Sequence, residues 1–176
     1  MNPYVGEIIE VDLTKGKSEA RELDGDLVRQ FVGGFGINNK LAYDLVPAGV
    51  APLSPANVLI IGAGALAGTA APSTSKLMAT TKYPATLAVG TAFGGSGGDT
   101  LKFAGCDHLI IRGRALAPSI LRLDDGEAHV DPAGDLWGLD IFETTDRLRQ
   151  KYGSDYDVLA IGPAGENLVE YSFDLV

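Results

Sequence analysis

The most restrictive property of this chain is the placement of its carboxylates. It has 23 acidic residues, and none falls between Leu45 and Gly98, where even spacing would put about seven. Lys76 and Lys82 carry the only charges in that stretch. One reading is simple burial, because an unpaired charge in a core is costly. The stretch also contains turn chemistry that cores lack, in Ala71-Pro72-Ser73-Thr74-Ser75-Lys76 and Phe93-Gly94-Gly95-Ser96-Gly97-Gly98. Glycine-rich loops without carboxylates suit a bound anion, since backbone N–H groups can converge on phosphate oxygens with no Cβ in the way. The pattern therefore points to a phosphate-bearing ligand.

Composition narrows the alternatives. At 176 residues and 45% hydrophobic, the chain has room for one domain with a sizeable core. A net charge of −9 argues against a general nucleic-acid binder, which needs a basic face. The single cysteine, Cys106, excludes an internal disulfide and any Cys-based zinc or iron–sulfur site, and is expected to be a packing residue. The N-terminus shows no basic and apolar leader pattern, and no apolar run reaches the ~18 residues of a membrane span. These features set the expectation of a cytoplasmic protein with neither membrane nor nucleic acid as partner.

Periodicity predicts a mixed fold. Alternation over Glu7 to Leu13 predicts a strand, and Lys15-Gly16 turns it into a second. Helical spacing over Asp24 to Val32 follows, with Gly33-Gly34 as its stop. Ile37, Leu41 and Leu45 make a second helical stripe, and Val58 to Ile61 a buried strand. Lys76 to Thr81 and Leu87 to Thr91 read as strands, and Thr100 to Ala104 as one helical turn. The second half predicts strands at Ile120 to Leu123 and Ala128 to Val130 around Asp125-Gly126, then a helix from Ile141 to Tyr152 capped by Asp140 and Glu143 and stopped by Gly153. Val158-Leu159-Ala160-Ile161-Gly162 then mirrors Val58-Leu59-Ile60-Ile61-Gly62. The order implies an internal duplication of a hairpin-helix-strand unit, over approximately 5–64 and 119–165. Counterparts of Lys76 and Gly94 in the second copy would fall near positions 176 and 194, so the domain, taken as 1–176, is expected to be cut at its C-terminal edge.

Three motifs compete for the chemistry. Gly62-Ala63-Gly64-Ala65-Leu66-Ala67 satisfies G-x-G-x-x-A, but Pro72 interrupts the helix a dinucleotide fold needs and no ribose-binding acid follows before Asp99. Gly94-Gly95-Ser96-Gly97-Gly98 fits G-x-S-x-G, with Asp124 and His129 following in hydrolase order, yet nothing positions His129 against Ser96. The third reading joins Lys76 to the backbone of Gly94, Gly95 and Gly97 as a phosphate clamp. Its alternative is a solvated strand lysine beside a tight turn, and chemistry alone leaves the two balanced.

The residues that follow carry a resemblance over almost the whole chain, from Gly6-Glu7-Ile8 to Leu168. Pro52-Leu53-Ser54-Pro55-Ala56-Asn57, Leu66-Ala67-Gly68-Thr69-Ala70-Ala71-Pro72, Leu101-Lys102-Phe103-Ala104-Gly105, Leu136-Trp137-Gly138 through Thr144, and Ile161-Gly162-Pro163-Ala164-Gly165-Glu166-Asn167 occur in the order found in tungstopterin-dependent aldehyde:ferredoxin oxidoreductases. The sequence resembles the N-terminal domain of that family. The resemblance implies an α+β domain of two β-sheets with short helices, on which a tungsten (or molybdenum) bis-pyranopterin rests with magnesium between its phosphates. It implies oxidation of aldehydes to carboxylic acids with water, and electrons passed through a [4Fe-4S] cluster to ferredoxin. An arginine usually stands where this chain has Lys76, and an asparagine that gives its carbonyl to magnesium stands near Ala92 or Phe93, leaving a backbone carbonyl of one of these for that role. No side chain here is an obvious catalytic acid or base. The cluster cysteines and the remaining domains lie outside these 176 residues, so the chain alone is not expected to catalyse. The rival reading is a freestanding binding or scaffold protein of the same fold, such as a homo-oligomer covering an exposed sheet.

Overall fold

A computed structural model describes residues 3–171. Strands β1 (Glu7–Asp12) and β2 (Lys17–Glu22) form the predicted hairpin. Helices α1 (Gly25–Phe31) and α2 (Gly34–Leu45) lead to β3 (Val58–Ala63), β4 (Leu77–Lys82) and β5 (Val89–Gly94). Helix α3 (Gly97–Phe103) returns the chain to β6 (His108–Arg112). A hairpin of β7 (Ser119–Asp124) and β8 (Glu127–Pro132), a 3-10 turn (Gly134–Leu136), α4 (Ile141–Tyr152) and the single turn α5 (Pro163–Glu166) complete it. Among the described residues no helix is long and apolar enough to cross a membrane.

The six-stranded sheet runs β2-β1-β6-β3-β4-β5, and β7-β8 form a separate two-stranded sheet. Strand β6 is the pivot, parallel to β1 on one side and antiparallel to β3 on the other. Its alternating side chains feed two cores. Ile110, with Ile8 and Ile60, packs against Ile37 and Leu41 of α2 on one face. Leu109, with Ile9, Val11 and Ile61, packs on the other, where Leu121, Leu123, Ala128 and Val130 of the β7-β8 hairpin close the layer. Burial of these side chains is the main stabilising term, about 1.5–3 kcal/mol each.

Several boundaries differ from the sequence expectation. Gly34 opens α2 rather than ending a helix, because its positive φ of 44° lets the chain turn where any Cβ would sit 2.7 Å from Met78 Sδ. Helix α3 starts at Gly97, three residues before Thr100. Helix α4 keeps its predicted limits, with Asp140 accepting the N–H groups of Phe142 and Glu143. Val158 to Ile161, by contrast, forms only an isolated bridge at Ala160 among the described residues, so its likeness to Val58 to Ile61 does not give a paired strand. Position 176, the expected counterpart of Lys76, lies outside the described residues.

Candidate functional site

The site grows from the β4–β5 pairing. Leu77 is level with Gly94, the last pair of the ladder, so Lys76, the residue before β4, and Gly95, the residue after β5, both flank that pair at the sheet end. Gly95 has a φ of +54°, a left-handed turn that glycine adopts without strain. No atom lies within 4 Å of a Cβ placed on Gly94, so the surface above it is open. Gly98 has the reverse character. Its N–H donates to Ser75 O at 2.8 Å, and an added Cβ would lie 2.7 Å from Lys76 O. This close approach fixes the Ser75–Lys76 backbone against the start of α3. Gly95 lies at the exposed sheet end beside Ser96, whereas Gly97 is buried.

The two charges of the acid-free stretch have different fates. Lys82 Nζ donates to Val50 O at 2.7 Å. Lys76 makes no hydrogen bond or ion pair among the described residues. Asp99, the first acid after the stretch, has one carboxylate oxygen buried without a partner among the described residues, and its Cβ packs near Gly68. The surroundings of Lys76 thus offer an unpaired cation and a glycine turn. Strand β5 is an edge, so of the adjacent Ala92 and Phe93 one carbonyl faces β4 and the other points out of the sheet. The hydrolase arrangement is not assembled. Asp124 Oδ2 accepts from Arg122 at 2.7 Å, His129 faces Glu127, and Ser96 lies beyond the end of the other sheet.

Sequence reasoning missed a buried polar network that holds the strands behind this site. Asn38 of α2 donates through Nδ2 to Ile60 O and Met78 O, at 3.3 and 3.2 Å, bridging β3 and β4. Its Oδ1 can only accept, so His108 Nδ1, 2.8 Å away, is the donor. Nε2 of His108 is buried with no partner among the described residues. Burial, with Lys102 and Arg21 nearby, pushes the imidazole pKa down to about 3, so the ring is neutral. Both Asn38 and His108 crowd Gly62, where a Cβ would collide with Asn38 Oδ1 and His108 Nδ1. Lys102 donates to Pro3 O and Ala65 O and pairs with Asp107 at 3.8 Å, while Asp107 accepts the Gly6 N–H at 2.7 Å. Burial lowers the Lys102 pKa, against the pull of Asp107. Cys106 is fully buried and its thiol is pushed up to about 12, chiefly by burial, in keeping with a packing role. No sequence motif announces these residues, because they come from separate parts of the chain, at positions 38, 102, 107 and 108.

Residues 8–173 match the family model of the aldehyde ferredoxin oxidoreductase N-terminal domain. The chain belongs to the aldehyde ferredoxin oxidoreductase family. It is 37% identical over 169 residues to the tungsten-containing aldehyde ferredoxin oxidoreductase of Pyrococcus furiosus, covering 95% of this chain and 28% of that protein. The corresponding protein of Pyrococcus abyssi is also 37% identical, over 96% of this chain and 28% of its own length. Among solved structures, the active site complex BamBC of benzoyl coenzyme A reductase, in complex with 1,5 dienoyl-CoA, superposes with a TM-score of 0.92 at 34% identity, over 98% of this chain and 27% of that one. The family's N-terminal domain is therefore this α+β arrangement, and the chain spans little more than a quarter of the relatives it matches. Those relatives carry further domains.

Proposed function

We propose that this domain provides a phosphate-holding surface for a tungsten or molybdenum bis-pyranopterin in an enzyme that oxidises an aldehyde to a carboxylic acid. The observation that carries the reading is Lys76. It is an ammonium with no partner among the described residues, at the same sheet end as the left-handed Gly95, in a stretch stripped of carboxylates. A charge-assisted contact to a phosphate gives such a cation the counter-charge that the protein withholds.

The residues fit the group in kind. Lys76 supplies the cation, Gly94 leaves the approach open, and the turn at Gly95 lets N–H groups face a phosphate oxygen. Gly97, being buried, acts by shaping the turn. The outward carbonyl of Ala92 or Phe93 would be the chain's contribution to holding a magnesium ion. Lysine provides a point charge where arginine would provide a fork, so orientation falls to the backbone. When bound, the pterin-held metal supplies two-electron oxidation of the aldehyde, with water as the oxygen source. The cluster that would carry electrons on to ferredoxin needs cysteines from other parts of the enzyme, since Cys106 is alone and buried. Cytoplasmic residence and ferredoxin as acceptor belong to the same proposal.

The test is metal and organic phosphate content in the assembled enzyme purified with Lys76→Glu or Lys76→Arg. Lys76→Glu is expected to lower both contents about ten-fold, the scale of a single charge-assisted hydrogen bond, while Lys76→Arg retains them. Full content in Lys76→Glu would remove the clamp from the proposal.

A further inference from the structure

Strand β5 has a free edge, and its register says which groups that edge presents. Tyr83 N–H donates to Ala88 O at 3.0 Å, one step beyond the Lys82–Val89 pair. Hydrogen-bonded pairs alternate along an antiparallel ladder, so Gly90, Ala92 and Gly94 turn their N–H and C=O groups toward β4. Val89, Thr91 and Phe93 therefore point theirs out of the sheet, and none of these groups has a backbone partner among the described residues. The other edge strands of the described residues all carry charge. Strand β2 has Lys17, Glu19, Arg21 and Glu22, β7 has Arg122 and Asp124, and β8 has Glu127 and Asp131. Strand β5 has none.

Outward residues at alternate positions make this edge complementary to itself. A two-fold axis through Thr91 puts Val89 level with the second copy's Phe93, and every outward N–H of Val89, Thr91 and Phe93 then meets an outward carbonyl. Any other register leaves some of them unpaired. The side chains agree with that register. Thr91 accepts from Asn39 of α2 and Phe93 stacks on Phe35 of α2, with ring centroids 5.9 Å apart, so alternation puts Val89, Thr91 and Phe93 on the α2 face. Val89, Phe93 and Phe35 are 43%, 52% and 53% exposed. Pairing sets each valine against a phenylalanine, a favourable combination across strands, and brings the exposed rings of both copies to one seam. Charge selects the same place. A net charge of −9 opposes self-association in general, but no acid falls between Leu45 and Gly98, so two copies meet at β5 without carboxylate facing carboxylate.

We infer that β5 pairs edge to edge with β5 of a second copy of this chain, antiparallel and centred on Thr91. The inference stands apart from the phosphate clamp. Of the two carbonyls considered for magnesium, that of Phe93 is the outward one, so pairing and magnesium holding exclude each other. The test uses the full chain without magnesium, followed by light scattering and amide hydrogen exchange at rising concentration. The mass is expected to reach that of two chains and stop there, because pairing uses up the edge. Over the same range, exchange of the Val89, Thr91 and Phe93 N–H groups is expected to slow about ten-fold, while Gly90, Ala92 and Gly94, already held by β4, stay unchanged. Val89→Lys, checked for folding by circular dichroism, is expected to remain a single chain and to keep fast exchange at Thr91 and Phe93. Where that variant does not fold, the exchange pattern of the unchanged chain decides. A single-chain mass up to about 1 mM, a pair that leaves exchange at Thr91 unaltered, or assembly beyond two chains overturns the inference. So does a folded Val89→Lys that pairs as the unchanged chain does.

Discussion

Strands β2 and β5 are both six-residue edges of one sheet, yet their surfaces have little in common. Lys17, Glu19, Arg21 and Glu22 give β2 four charges, and all six of its residues are exposed. Val89–Gly94 carries no charge and no proline, and its exposed Phe93 stands beside a glycine turn. Charged side chains on an edge discourage pairing with another strand. By that measure β2 is finished for water, while β5 is suited to being covered. The acid-free stretch is therefore more than a buried core, because part of it lies on the surface at β5 and the loops around it. Such an edge fits a domain that meets a ligand and further polypeptide on one side and solvent on the other.

The two edges depend on a shared centre, and acid tests it most severely. His108 of β6 has a native pKa of about 3 against an ordinary 6.5. Between these values the unfolded chain binds a proton that the native protein refuses, so stability is expected to fall as pH drops below about 6.5 and to level near 3, a loss of several kcal/mol. Urea midpoints measured across this range check it. A flat profile would show that His108 does not secure the centre.

Next in size is a pair of glycine substitutions, one at each side of the sheet. Gly98→Ala forces a Cβ to within 2.8 Å of two backbone carbonyls and is expected to cost about 2–3 kcal/mol. Gly16→Ala, in the β1–β2 turn at φ +60° with no atom within 4 Å, is expected to cost about 1 kcal/mol from backbone strain alone. Equal costs in denaturant unfolding would break the contrast between a tightly packed β5 side and an open hairpin side. Asn39→Ala sharpens it further. Removing the Asn39 bonds to Phe35 O and Thr91 Oγ1 should cost about 1 kcal/mol and raise amide exchange on β5 while sparing β2. The smallest change in stability, within about 0.5 kcal/mol, is expected from replacing Lys17, Glu19 and Arg21 by threonine. Light scattering should nevertheless detect association at rising concentration in that variant, and Val89→Lys should suppress any association through β5.

Local structure was largely legible because it depends on nearest-neighbour chemistry. The alternation of Ile9 and Val11, the Asp140 cap and the Gly153 stop act within a few residues and are present in the structure as expected. Strand β6 was not singled out, although His108–Arg112 is the pivot of the sheet. A short apolar run packed on both faces has no periodicity to mark it. Val158 to Ile161 shows the complementary case, since its likeness to Val58 to Ile61 produced no paired strand among the described residues. A strand needs a neighbour, and composition does not say whether one arrives. At the candidate site, Lys76 and the glycines were readable as residue types, but Phe35 and Phe93 are 58 positions apart and carry no motif.

Most of the elements, the Asp140 cap and several turns, the family, and the exclusion of acids from one stretch follow from the order of residues, because propensity, periodicity and charge are local properties. Folding in three dimensions was needed to bring β6 between β1 and β3, to close Asn38 and His108 over Gly62, and to bring Lys76 and the Gly95 turn to one sheet end. These arrangements join residues far apart in the chain. Their energies come from burial and close approach, which exist only once the sheet has chosen its order.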